Sequence, residues 1–199
     1  ASKKAKARRI MEEAGVSVPF TTTAGAVAED WYQNGVTVIR RPLRHHGGGG
    51  FLIVTDPDNE THEAGYYYQH FIRKEKEFRV HVAHGKILVI QQKVLSDSEA
   101  EIDLDTPAPW NHATGDFVFE TLHWSDYRRD MCQEALKASD AFELDFCAVD
   151  IMFDGEKYYV CEVNTSPSLA DYSLERYQKY FDWLERNTGE EKLSHWDWT

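Results

Sequence analysis

Apolar residues recur at helical spacing in Ala7, Ile10, Met11 and Ala14, which predicts a helix over about residues 3–14, stopped by Gly15. Residues 16–20 then read as extended. Val27 and Trp31 share a face of a second helix over about 24–33, closed by Asn34-Gly35. Short apolar runs at 36–40, 51–54 and 66–72 predict strands, with a polar connection over 55–65 whose turn is Asp56-Pro57-Asp58-Asn59. Residues 78–94 predict two strands joined near His84-Gly85. The first alternates: Arg79 and His81 fall on one face, Phe78, Val80 and Val82 on the other. On the second strand Gln91 and Lys93 share a face. A short strand is predicted at 117–120. A helix over 126–139 turns Met131, Ala135 and Leu136 inward, and a helix over 173–187 carries Leu174, Tyr177, Phe181 and Leu184 on one side. Helices and strands mix without regular alternation, so the expected class is α+β. A hinge near residues 70–76 divides the chain into a small lobe, 1–72, and a large lobe, 73–199.

Composition narrows the possibilities. The chain has 199 residues, of which 42% are hydrophobic and 13% aromatic, enough for a folded core. Its net charge of −12 argues against nonspecific nucleic-acid binding over the whole surface. No apolar run approaches membrane-spanning length, and the basic start is followed by no apolar segment of a secretion signal. The three cysteines show no metal spacing, and Cys147 and Cys161 sit in predicted core strands. That is the pattern of a reduced compartment, and a cytoplasmic location is expected.

Acids in unusual places carry the first chemical signal. Residues 146–153 and 158–163 flank Asp154-Gly155 and read as a hairpin. Asp150 lies inside the first strand, with Glu162 and Asn164 at the end of the second, amid apolar neighbours. Crowded carboxylates need a cation, and an all-oxygen set suits magnesium. Glu162 and Asn164 share a face, and Asp150 joins them only if the loop is odd in length. The expectation is therefore a loop of three or five residues with Gly155 at positive φ. An edge hairpin with its acids in water explains the same spacing.

A second signal is the loop from Arg40 to Phe51. Gly47 to Gly50 leave backbone N–H groups able to approach an anion, among Arg40, Arg41, Arg44, His45 and His46. No Gly-Lys-Ser/Thr follows, so it is not a Walker loop. The segment 66–72 supplies an apolar strand edge able to hold a base. Arg79 and Lys93 add positive charge on the strand face expected to bear Asp150, although a solvated face has the same pattern. Trp110-Asn111-His112 is a weaker candidate for a substrate contact. Together these make an ATP site.

In this order the motifs resemble the ATP-grasp carboxylate–amine ligases, in particular the branch of ribosomal-protein glutamate ligases and phage-encoded members. Glu13-Ala14-Gly15-Val16-Ser17-Val18-Pro19 resembles the family's opening helix and turn, and Val38-Ile39-Arg40-Arg41-Pro42 its strand before the glycine loop. Gln69-His70-Phe71-Ile72 is similar to its adenine hinge, Glu77-Phe78-Arg79-Val80 to its acidic–Arg element, and Cys161-Glu162-Val163-Asn164-Thr165-Ser166-Pro167 to its metal-binding strand end. The resemblance implies a two-lobed fold of mainly antiparallel sheets with packed helices. It implies ATP and Mg2+, with Asp150, Glu162 and Asn164 as metal ligands and Arg41, His46, Gly48, Gly49, Gly50, Gln69, His70, Phe71, Ile72 and Glu77 around the nucleotide. Arg79 and Lys93 are then the catalytic cations, and Asn111 and His112 weak substrate contacts. Arg41 stands where the family usually has lysine, keeping the charge with a different geometry. The reaction implied joins a carboxylate to an amine, on small molecules or peptides, through an acyl phosphate. Family members usually carry a further amino-terminal subdomain, which is expected to be lost, removed, or supplied by a partner or a second copy. Two alternatives remain: an ATP-binding module without turnover, and a kinase-like phosphotransferase.

Overall fold

A computed structural model of the chain describes residues 3–43, 51–61, 64–97, 116–169 and 171–186. Helix α1 (Lys3–Glu13) opens it. Four strands, β1 (Thr21–Thr22), β2 (Val38–Pro42), β3 (Leu52–Ile53) and β4 (Tyr66–His70), form a small antiparallel sheet in the order β1-β4-β2-β3. Helix α2 (Gly25–Gln33) covers one face, burying Ala28 against Val38, Val54 and Tyr68, with Trp31 alongside. Strand alternation then turns Ile39, Arg41, Tyr67 and Gln69 to the other face, where Ile39 pairs with Gln69 and Arg41 with Tyr67. Strand β4 is not the free edge expected from its sequence. The two residues of β1 close its outer side, and the His70 N–H donates to Phe20 O at 3.0 Å. The polar connection also holds a helical turn, α3 (Pro57–Glu60), where Glu60 Oε2 accepts from the N–H groups of Thr55 and Asp56 at 2.7 and 3.1 Å.

The larger sheet contains β5 (Lys76–Ala83), β6 (Lys86–Leu95), β7 (Phe117–Thr121), β8 (Phe146–Phe153) and β9 (Tyr158–Asn164), antiparallel in the order β7-β6-β5-β8-β9. His84 and Gly85, both at positive φ, make the two-residue turn between β5 and β6 that the sequence predicts. One face buries Phe78, Val80, Val82, Val149 and Ile151 against Met131, Ala135 and Ala138 of α4 (Arg129–Ala141). Met11 and Val16 share this core, so α1 packs on the large sheet although it opens the chain. It is tied there by Arg8, which donates to Val160 O at 2.9 Å, and by Ser17 O, which accepts from the Val160 N–H at 2.7 Å.

Helix α5 (Asp171–Arg186) covers part of the opposite face, but turned from the expected orientation. Tyr177 and Tyr180 are buried with Ala83, Leu88 and Val89, whereas Leu174 and Phe181 are 43% and 42% exposed. Polar anchors choose the face: Tyr177 meets His81 and Cys147 O, and Tyr180 meets His84.

The β8–β9 loop has four residues, 154–157, not three or five, since Phe153 pairs with Tyr158. A loop of even length would place Asp150 opposite Cys161. A β-bulge between Asp150 and Ile151 skips Cys161 and brings Asp150 opposite Glu162, restoring the parity by another route. Asp154 Oδ1 accepts from the N–H groups of Glu156 and Lys157 at 2.9 and 2.7 Å, and Gly155 takes φ 101°. A Cβ at Gly155 would stand 2.8 Å from Glu75 Oε1, which can swing aside, so the backbone conformation dominates. Gly155→Ala is expected to destabilise the fold by about 1–3 kcal/mol, read as a lower urea midpoint at unchanged slope.

Candidate functional site

Strand register assembles the site. On the face of the large sheet away from α4, one transverse row runs Thr121, Gln91, Arg79, Asp150, Glu162 across all five strands. The row on one side holds Phe119, Lys93, Glu77, Met152 and Tyr159, and that on the other holds Val89, His81, Ala148 and Asn164. Cross-strand neighbours at this spacing touch directly. The four charged residues of the strand pattern therefore sort into two ion pairs.

Arg79 grips Asp150 bidentately, Nε to Oδ1 at 2.8 Å and Nη2 to Oδ2 at 3.0 Å. Asn164 Nδ2 donates to Asp150 Oδ2 at 3.1 Å. Burial draws the Arg79 pKa down, but the hydrogen bonds and charge of Asp150 win and raise it. The guanidinium also lies over the Phe119 ring, 4.6 Å from its centroid. In the adjoining row Glu77 sits between two ammonium groups, Lys74 Nζ at 2.6 Å and Lys93 Nζ closer still. Burial pushes the Glu77 carboxyl upward, and the two lysines overcome it, leaving its pKa below the ordinary value. Two residues assigned separately to the nucleotide and to catalysis, Glu77 and Lys93, are thus each other's partner.

Glu162 is 48% exposed and meets Lys4 Nζ at 3.4 Å. Beside it, where α1, β9 and the small sheet meet, is a cavity of about 510 Å³ lined by Lys4, Arg8, Arg41, Tyr67, Cys161 and Glu162 among others. Burial lowers the Arg8 pKa, raises that of Tyr67 and pushes the Cys161 thiol up to about 12, so the thiol is inert. Arg41 hydrogen-bonds Tyr67, and its Nε has no hydrogen-bond partner among the described residues. Three cations against one carboxylate make this a place for an anion.

Lys4, Arg8 and Tyr67 are the members that sequence reasoning missed. The signal was present in Lys4, Arg8 and Met11 at i, i+4 and i+7, a stripe that mixes cations with core. Gln69 is buried, on the face of the small sheet away from α2. The His70 ring turns the other way, between Phe20 at 5.1 Å and edge-on to Trp31 at 4.3 Å. Phe71 spends its N–H on Thr37 O, and Ile72 O accepts from the Lys74 N–H. His46, Gly48, Gly49, Gly50, Asn111 and His112 lie outside the described residues.

Asp150, Glu162 and Asn164 offer hard oxygen donors from one face of a rigid hairpin, a set that fits magnesium. The count is two carboxylates and an amide; among the described residues no cluster of three or more His, Cys, Asp or Glu side chains is placed to hold a metal. Cys132, Cys147 and Cys161 are free thiols. Among the described residues no helix is long and apolar enough to cross a membrane.

The chain shares its fold with ATP-grasp enzymes. It is similar to the ATP-grasp ligase PsnB complexed with minimal precursor, at TM-score 0.61 and 18% identity over 83% of this chain and 52% of that one. It is similar to D-alanine–D-alanine ligase from Bacillus anthracis complexed with ATP, at TM-score 0.62 and 18% identity over 88% and 61%. The macrocyclase MdnC from Microcystis aeruginosa MRC, bound with precursor peptide MdnA, gives TM-score 0.58 and 16% identity over 84% and 53%. The chain thus spans about half to three-fifths of the length of these structures. No curated protein matches it in sequence. Residues 62–179 match the RimK-like ATP-grasp domain, more than half of the chain, and the protein belongs to that family.

Proposed function

We propose that this protein is an ATP- and magnesium-dependent ligase that joins a carboxylate to an amine. The observation that carries the reading is the pairing of Asp150 with Glu162 on one sheet face, joined by Asn164 and gripped by Arg79, next to a cationic cavity containing Arg41. In this reading ATP lies between a small lobe, 1–72, and a large lobe, 73–199, with α1 bridging them. Gln69 to Ile72 flank the base, while Arg41, Lys4 and the loop containing His46 and Gly48 to Gly50 meet the phosphates. Asp150, Glu162 and Asn164 would hold magnesium, which would supply charge neutralisation to the triphosphate.

The chain's own groups then position and neutralise. A carboxylate oxygen attacks the γ-phosphorus, the bond to the β-phosphate oxygen breaks, and ADP leaves an acyl phosphate. The amine attacks the acyl carbon, phosphate departs, and an amide remains. Arg79, held in place by Asp150 and Phe119, faces the transferred phosphoryl group. Lys93 acts through Glu77, fixing the floor of the site. The similar structures include ligases seen with precursor peptides and one seen with ATP, which supports a peptide or amino-acid carboxylate as substrate and a cytoplasmic setting where ATP is abundant.

The test is ADP release from ATP and magnesium with panels of amino acids and peptides. Wild type is expected to sustain ADP release over many turnovers only when acid and amine are both present, and Glu162→Gln to lose about tenfold or more, since this half-exposed ligand is the more replaceable carboxylate. Equal release from both proteins defeats the metal assignment. Nucleotide binding without amine-dependent release decides for a binding module that acts with a partner, and a phosphorylated product without an amide decides for a phosphotransferase.

A further inference from the structure

His81 is fully buried on the site-bearing face, and the chemistry above does not use it. Its Nε2 lies 3.1 Å from Gln91 Oε1 and its Nδ1 3.3 Å from the Tyr177 hydroxyl. An amide oxygen only accepts, so Nε2 carries the proton, and a neutral ring leaves Nδ1 to accept from the Tyr177 O–H, which then turns to the ring from Cys147 O, 3.4 Å from the same hydroxyl. Burial, against the opposing pull of Gln91, pushes the ring's pKa down to about 4 and keeps it neutral near pH 7. In this arrangement the oxygen end of the Gln91 amide points inward to His81. With Oε1 turned to His81, the Nε2 amino group points away from the ring, and no side chain among the described residues accepts from it.

Position gives this donor a use. Gln91 stands directly opposite Arg79, which stands directly opposite Asp150. Strands lie about 4.8 Å apart, so the amide and the metal-binding acids flank Arg79 at about 10 Å from one another. An anion over Arg79 thus has metal ligands on one side and a neutral donor on the other. An N–H group offers nothing to a cation, which excludes Gln91 from the metal set.

We propose that Gln91 contacts the substrate: its Nε2–H donates to an oxygen of the carboxylate being activated, beside Arg79, with His81 and Tyr177 as positioning residues that hold the amide in that orientation. The assignment rests on the ligase reading above and adds the place where the acid sits. The experiment uses the full chain with Mg·ADP and acetate as the probe. Side-chain amide and histidine nitrogen spectra are assigned through Gln91→Ala and His81→Phe. Expected are an Nε2–H tautomer for His81 from about pH 5.5 to about pH 8, and a saturable shift of the Gln91 amide protons with acetate. Gln91→Ala is expected to raise the apparent acetate Kd about tenfold and leave that of Mg·ADP unchanged. An Nδ1–H tautomer, which needs no ligand or variant to detect, overturns the proposal. So does an acetate response at Arg79 and its neighbours that bypasses Gln91. Mg·ADP binding with no acetate response anywhere counts against carboxylate activation itself, and the assignment falls with it.

Discussion

Asp150→Asn is expected to lower ATP-dependent turnover about 10²–10³-fold while leaving the protein folded. Asparagine keeps one acceptor for the Arg79 guanidinium, now bonded through both carboxylate oxygens, and it keeps the shape that fits between β5 and β9. What it removes is charge. In the proposed reaction Asp150 both ligates magnesium and balances Arg79, so its loss weakens the metal and leaves a half-buried cation uncompensated. Phosphate release measured beside binding of a non-hydrolysable ATP analogue separates chemistry from nucleotide affinity. Arg79→Lys makes the complementary change. It keeps a charge and loses the planar fork, so turnover falls while Asp150 retains a partner. An Asp150→Asn protein that turns over at the wild-type rate removes Asp150 from the metal site.

How far the arrangement of these side chains is legible in the sequence follows from the range of each interaction. Alternation on β5 placed Arg79 and His81 together because strand periodicity is local. The partners Glu77–Lys93 and Arg79–Asp150 are cross-strand facts and needed register. That Asp150 meets Glu162 was expected from an odd loop, but it arises from a bulge at Cys161, which carries no turn residue to announce it. Two residues, Thr21 and Thr22, suffice to turn β4 from an edge into an inner strand, and so short a run has no periodicity to detect. For α5 the expected stripe was Leu174, Tyr177, Phe181 and Leu184. The buried face is set instead by hydrogen bonds from Tyr177 and Tyr180 to groups about a hundred residues away. Lys4 and Arg8 belong to the basic start of the chain, and only the docking of α1 against β9 brings them to the cavity.

The other large effect concerns stability. Glu77→Ala is expected to destabilise the fold by about 3–5 kcal/mol, because it removes the carboxylate that both Lys74 and Lys93 meet, and their side chains are each only 10% exposed. That is a large share of a typical total of about 5–15 kcal/mol. The cost belongs to two buried cations that lose their shared carboxylate, so replacing Glu77, Lys74 and Lys93 together by methionine is expected to recover most of it; a triple variant no more stable than the single one contradicts that cause. Acid should act on the same group. The carboxyl's pKa is depressed in the fold below its unfolded value of 4.5, so its contribution is complete above pH 4.5 and is lost as the pH falls through the lower, folded value. His81 adds an earlier loss. Its pKa of about 4 in the fold against 6.5 unfolded lets protons favour the unfolded chain from near pH 6.5 downward. Urea midpoints against pH should therefore decline in two stages, the first reduced in His81→Phe and the second reduced in the triple methionine variant, where Asp154 still contributes.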